Sequence, residues 1–311
     1  MISNFPATRL IKLQMVDDGD DEVEDDLPEL PYVEQRIAFL RRNPPRAPSS
    51  EAAVENFRVA QEKKERFVYC GRPVTADKPL PATLMDPILC EFQYNLHNSV
   101  PETQDILIFR ELRAFLTRVF KVEDERKAEL IRILRQLVPL KALSCGDIGP
   151  HRTDGDLRAS VEPVDGQDSE FMKRLHQFLY YAEEVKNESG TGGKEALVEA
   201  FHYWLEQIRL CLETIPKEHQ TEINFPAILL TLIGPQLAVS AAAFAGSPNV
   251  ETLVSIPLNI HSTNTETIAA GQRLVYSLRI ALSKLFDYYS NQLFKTSRSN
   301  VDFPFRNLLR N

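Results

Sequence analysis

Phe178-Leu179-Tyr180-Tyr181-Ala182-Glu183-Glu184-Val185-Lys186-Asn187-Glu188 is the stretch on which the reading of this chain turns. Phe178 to Val185 is an apolar and aromatic run, and Asn187-Glu188-Ser189-Gly190-Thr191-Gly192-Gly193 after it is a strong strand-ending signal. The pair predicts a strand followed by a glycine turn. Alternate side chains of a strand share a face, so Glu184, Lys186 and Glu188 are expected to project together beside the buried body of the strand. Two carboxylates and an ammonium at a sheet edge suit a divalent-cation site for phosphodiester hydrolysis. A hard cation such as Mg²⁺ keeps several waters and needs only one or two protein carboxylates. The cation activates a bound water and clamps phosphate oxygens, while a lysine can orient that water or offset developing charge. A second acid must come from elsewhere. His151-Arg152-Thr153-Asp154-Gly155-Asp156-Leu157 supplies two candidates just before a short alternating stretch.

Working outward, Val138 to Asp168 is rich in Gly, Pro, Asp and Ser, which predicts turns joining short strands. Lys194 to about Thr214 reads as a helix with Ala196, Val198, Phe201, Trp204, Leu205 and Ile208 available for burial. Ala227 to Ile233, Ala238 to Phe244 and Thr252 to Leu258 are strand candidates, separated by Gly234-Pro235 and by Gly246-Ser247-Pro248-Asn249. Asn264 to Leu293 closes the folded part as a long amphipathic helix. Upstream, Ser49 or Ser50 can cap a helix running to Phe67. Four prolines punctuate Gly71 to Pro87, and Leu107 to Val119 and Glu123 to Leu137 have helical spacing. This order predicts an α/β fold with a mixed central sheet flanked by helices and a helical N-terminal extension. The expected divisions are an acidic, proline-rich tail and linker over 1–48, a helical part over 49–140, an α/β core over 141–297 and a C-terminal linker over 298–311.

The 311 residues are 43% hydrophobic and 26% charged, a globular balance. No apolar run reaches the roughly 18 residues that a membrane span requires, and Met1 to Gln14 lacks the apolar centre of a secretion signal. An intracellular protein with no membrane partner is expected. The net charge of −8 looks adverse to nucleic-acid binding until it is located. Eight acidic residues lie between Asp17 and Asp26; removing them from the 44 acids leaves 36, equal to the 36 Lys plus Arg. The remainder is formally neutral, and the acidic block reads as a solvated, self-repelling segment. An arm competing with phosphate for a basic surface is the functional alternative. Cys70, Cys90, Cys145 and Cys211 are far apart, so neither a disulfide framework nor a zinc site is expected.

At Asp154/Asp156 and Glu184-Val185-Lys186 the sequence resembles the restriction-endonuclease-like superfamily, whose signature is an Asp at a strand start and Glu or Asp, any residue, then Lys on the next strand. Glu184-Val185-Lys186-Asn187-Glu188 with Gly190-Thr191-Gly192-Gly193 is similar to the endonuclease-like module that precedes protein-kinase domains in fungal multidomain and Crinkler-like effector proteins. Gly234-Pro235-Gln236-Leu237, Ile260-His261-Ser262-Thr263 and Phe303-Pro304-Phe305 look like further segments of it, so the resemblance covers roughly Gly71 onward. It implies a restriction-endonuclease-like core, Mg²⁺ (or Mn²⁺) as cofactor, and hydrolysis of DNA rather than RNA. The implied catalytic set is Asp156, Glu184 and Lys186, with Asp156 and Glu184 as metal ligands and Asp154, Glu188 and Glu199 in support. Asp156 is preferred to Asp154 because it directly precedes Leu157-Arg158-Ala159-Ser160-Val161. The chain departs from the pattern in two places. The gap from Asp156 to Glu184 exceeds the family's usual hairpin, although Ser169 to Gln177 can hold an inserted helix, and Glu199 stands where Gln is common. No kinase motif is present in these residues. The resemblance also implies a protein partner or a downstream kinase domain, and residence in the nucleus, or in a host cell for a secreted effector. A catalytically inactive module on the same scaffold is the alternative.

Other side chains invite functional readings that weigh less. His151, His202 and His261 share no ligand spacing and read as structural or surface groups. Trp204 with Phe201 and Tyr203 could stack a base, yet helical spacing favours the core. Arg110, Arg113, Arg118, Lys121, Arg126, Lys127, Arg132 and Arg135 could track phosphate, but the acids between them favour solvated helix faces.

Overall fold

The structure is a computed structural model, and it describes residues 32–63, 68–72, 81–160, 177–188, 193–213, 215, 220 and 223–292. The acidic segment, the linker through Pro31, the helix expected within 169–177 (apart from Gln177), the glycine turn at 189–192 and the C-terminal linker lie outside these residues. The described chain belongs to one compact unit.

Five strands form a mixed sheet in chain order: β3 (Gly155–Ser160), β4 (Gln177–Lys186), β5 (Ala227–Ile233), β6 (Gln236–Phe244) and β7 (Pro248–Pro257). Only the β4–β5 pairing is parallel. A parallel pair needs a crossover, and the helix over Ala196–Leu212 provides it, packing on β4 and β5. A short hairpin, β1 (Asp147–Ile148) and β2 (His151–Arg152), leads into β3. β4 is buried along almost its whole length and β5 likewise, as strands covered on both faces must be. Leu157 opposes Tyr181 and Arg158 opposes Leu179, so Tyr180 is the extra residue of a bulge. Beyond it, Phe178 stacks on Tyr289 at 4.9 Å, and Tyr180 meets Phe286 edge-on at 6.3 Å.

Helices complete the layers. α1 (Tyr32–Arg42), α2 (Pro48–Glu51), α3 (Val54–Glu62), α4 (Ala82–Met85), α5 (Pro87–Asn98), α6 (Thr103–Leu116) and α7 (Glu123–Leu134) precede the sheet; α8 is the crossover helix and α9 (Thr265–Asp287) follows β7, ending in a π-helical turn, Tyr288–Gln292. The helix expected from Ser49 is interrupted at Ala52 and Ala53, because Ala52 O accepts Glu195 N–H and Ala53 bridges Lys194. α5 was not foreseen. Its signals are Asp86, whose carboxylate caps Ile88 and Leu89 N–H, and Pro87 in the first turn.

Two buried arginines tie distant segments together. Arg36 of α1 donates to the carbonyls of Ala245, Gln220 and Ile223 at 2.8, 2.9 and 2.8 Å, its guanidinium lying over Phe225 and Phe244. Arg126 of α7 donates to Leu116 O at 3.0 Å, to Gly234 O in the β5–β6 turn, and to Glu188 at 3.0 Å. The solvated face expected for Arg126 is therefore replaced by a buried clasp on the turn, where Gly234 takes φ 53°.

α9 approaches α6 through Gly271, where an added Cβ would fall inside the Phe109 ring. Alanine is the better helix former by about 1 kcal/mol, but overpacking costs about 1–3 kcal/mol. Gly271→Ala is expected to lower stability despite its helix propensity, read as a reduced urea midpoint with an unchanged m-value.

Candidate functional site

β4 carries Glu183 and Glu184 to opposite surroundings. Glu184 is 3% exposed, and its carboxylate holds Lys186 Nζ two residues on, as strand alternation requires. Lys186 also reaches Glu199 of α8 at 3.0 Å. Burial alone would lower the Lys186 pKa, but Glu184 and Glu199 together hold it above its ordinary value, so the ammonium stays charged. Glu184 is pushed well upward by burial and by the carboxylates of Asp154 and Glu199, more than Lys186 offsets. The Tyr203 hydroxyl, donating to Arg152 O at 2.7 Å, lies in the same electrostatic neighbourhood.

Asp154, at the bend before β3, accepts Val185 N–H at 2.8 Å with one oxygen and Lys127 Nζ of α7 at 3.1 Å with the other. Lys127 divides itself between Asp154 and Asp124, the latter at 2.8 Å. Asp154 is thus the upstream acid that the fold places beside Glu184. Asp156 is engaged otherwise. Arg158, on the same face two residues later, grips both of its oxygens at 2.9 and 3.1 Å, and the Thr153 hydroxyl donates to it as well. Gly146 permits this, since a Cβ there would collide with the Asp156–Arg158 pair. Glu188 does not join Glu184 and Lys186, because β4 ends at Lys186 and the following turn delivers Glu188 to Arg126.

Glu183 was not singled out in the sequence, although a carboxylate inside an apolar run was its signal. It is 0% exposed, accepts the Tyr181 hydroxyl at 2.7 Å through one oxygen, and has no hydrogen-bond partner among the described residues for the other. Gly155 lies opposite it and leaves it room, because a Cβ there would overlap the carboxyl group. Burial pushes Glu183 up to about 8, against the Tyr181 hydrogen bond and with help from Asp154 and Asp156.

The remaining candidates fall into structural roles. Trp204 is buried and donates to Phe225 O at 3.1 Å. His202 packs on Phe201, and burial with Arg46 and Arg209 nearby lowers it to about 3, so it is neutral. His261 is exposed and bonds Thr263. Among the described residues no helix is long and apolar enough to cross a membrane, and no three His, Cys, Asp or Glu side chains converge as a ligand cluster.

No protein-family model, curated protein or solved structure matches this chain. The reading of the site therefore rests on its geometry. Glu184 and Glu199 both hold Lys186, and Asp154, paired with Lys127, lies near enough to Glu184 to oppose its ionisation, so carboxylates exceed ammonium groups in a poorly solvated place. Such a surplus suits a hard cation, with two carboxylates as protein donors and water completing the shell.

Glu183 yields a pH test. The folded protein binds its proton up to about 8, whereas the ordinary value is 4.5, so the native state holds more protons between these limits and stability falls as pH rises through that window. Glu183→Gln is expected to flatten the fall, by at most about 1.4 kcal/mol per pH unit. Urea midpoints of both proteins from pH 5 to 9 measure the difference.

Proposed function

We propose that the chain is a divalent-metal-dependent endonuclease-like module that hydrolyses phosphodiester bonds of DNA, with Glu184 and Asp154 holding the ion and Lys186 at the attacking water. The observation that carries this reading is the surplus of buried carboxylate around one lysine on β4. The antiparallel β3–β4 pair, the α8 crossover and the parallel β5 also support a restriction-endonuclease-like core. A bound Mg²⁺ or Mn²⁺ supplies an acidified water and neutralises charge on phosphate. Lys186, positioned by Glu184 and Glu199, orients the nucleophile and offsets charge on the phosphoryl oxygens. Lys127 fixes Asp154 through one oxygen, and the Val185 N–H fixes the other. Asp154 replaces Asp156 as the second ligand in this proposal, since Asp156 is committed to Arg158. Kinship with the modules that precede fungal and Crinkler-like kinases, and a nuclear or host-cell site of action, belong to the same proposal.

A second reading is a nuclease-fold module without catalysis, serving a neighbouring kinase domain or a host protein. One observation favours it: Lys186 is already shared by Glu184 and Glu199, and both Asp154 oxygens are engaged. Nicking of supercoiled plasmid in Mn²⁺ or Mg²⁺, together with Mn²⁺ binding by calorimetry, separates the two. The catalytic reading expects Lys186→Ala and Glu184→Gln to lower nicking by about 10²–10³-fold, the scale of losing one electrostatic contact to the transition state. Circular dichroism checks that the variants fold. Asp154→Asn should weaken Mn²⁺ binding more than Asp156→Asn. Wild-type protein that binds no Mn²⁺ and leaves DNA intact would establish the second reading.

A further inference from the structure

A cavity of about 560 Å³ opens where the edge strand β3 meets the 138–146 segment and the end of α9. That volume lies within the range of small-molecule sites, roughly 300–1,000 Å³. Its apolar surfaces are Leu157, Tyr180, Val138 and Phe286. Tyr180 and Leu157 are buried, whereas Phe286 is 48% and Val138 65% exposed. Tyr180 meets Phe286 edge-on with the planes 62° apart. Much of Phe286 is therefore left uncovered at the mouth, available for offset stacking by a second ring.

The charges of the cavity are unbalanced. Asp156 lines it, but its oxygens are taken by Arg158 and Thr153. Arg158 has five N–H donors, of which three are used among the described residues, two on Asp156 and one on Asp147 O at 2.9 Å. Lys141 also lines the cavity and is exposed, and its ammonium group makes no ion pair or hydrogen bond among the described residues. Among the described residues the lining side chains thus carry Asp156 against Arg158 and a Lys141 with no counter-ion, a net charge of one positive. A cationic ligand is disfavoured, and an anionic one gains the attraction of Lys141.

We infer that this cavity is a binding site for an aromatic monoanion, such as an aromatic carboxylate, whose ring lies against Phe286, Tyr180 and Leu157 and whose charged group meets Lys141. The site is separate from the Glu184–Lys186–Glu199 cluster, none of whose residues lines it, so it stands whether or not the chain cuts DNA.

Calorimetry on the full chain with 2-naphthoate and the uncharged 2-naphthylmethanol tests the inference. Wild-type protein is expected to bind 2-naphthoate saturably at one site and the alcohol more weakly. Lys141→Glu, at an exposed position, should weaken 2-naphthoate by about tenfold, reflecting a lost attraction and an added repulsion at a solvated site, while leaving the alcohol unchanged. Phe286→Ala should weaken both ligands. Unaltered thermal midpoints would show that neither variant acts through folding. The inference is overturned if wild-type protein shows no saturable binding, if Lys141→Glu binds 2-naphthoate as well as wild type does, or if the alcohol binds as tightly as the anion.

Discussion

A carboxylate on a strand covered from both sides cannot be solvated, so the protein must supply its counter-charge or leave it protonated, and that requirement organises the centre of this molecule. An uncompensated ion in the interior costs several kcal/mol. β4 carries Glu183 and Glu184 in such a setting, and the elements around it are arranged accordingly. Strand alternation brings Lys186 to Glu184, α8 contributes Glu199 to the same ammonium, and α7 sends Lys127 to Asp154. The Val185 N–H fixes Asp154 against β4 and so helps to set the start of β3. A slip of β3 by one residue would reverse every side chain along it, taking Asp154 from Val185 and placing a bulkier residue where Gly155 clears Glu183.

The two carboxylates meet the requirement differently. Glu184 has a cation within reach, and its neighbourhood stays rich in negative charge because Asp154 and Glu199 share that region. Among the described residues Glu183 has only the Tyr181 hydroxyl and one oxygen without a partner, and retaining a proton is the cheaper solution for it. Adjacent residues on one strand therefore differ in what meets the carboxyl group: burial favours the proton on both, but Glu184 has an ammonium in contact and Glu183 a hydroxyl. The difference arises from which face each enters rather than from residue type.

The sequence made much of the sheet legible. β5 begins and ends where its apolar run does, and β4 exceeds its expected span by one residue at either end. These segments combine burial on both faces with clear turn residues at their ends. The union of Glu184 with Lys186 was legible too, being a property of strand periodicity alone. Which of Asp154 and Asp156 lies beside Glu184 was not, because it depends on where Arg158 and Lys127 lie in space. The same-face spacing of Asp156 and Arg158 was the available clue. Glu188 was misplaced because alternation was continued past Lys186, where the strand stops and Arg126 takes over. α5 was missed because a proline-punctuated approach hid a capped start at Asp86-Pro87.

The Arg36 hook bears on the order in which the molecule assembles during synthesis. Its three carbonyl acceptors lie 184 to 209 residues further along the chain. At a ribosomal rate of about 5–20 residues per second, these acceptors emerge roughly 10–40 s after the arginine. Until then the guanidinium has neither its carbonyls nor the rings of Phe225 and Phe244. The helix that carries Arg36 is thus locked late, and its docking signals that the downstream half has already taken shape.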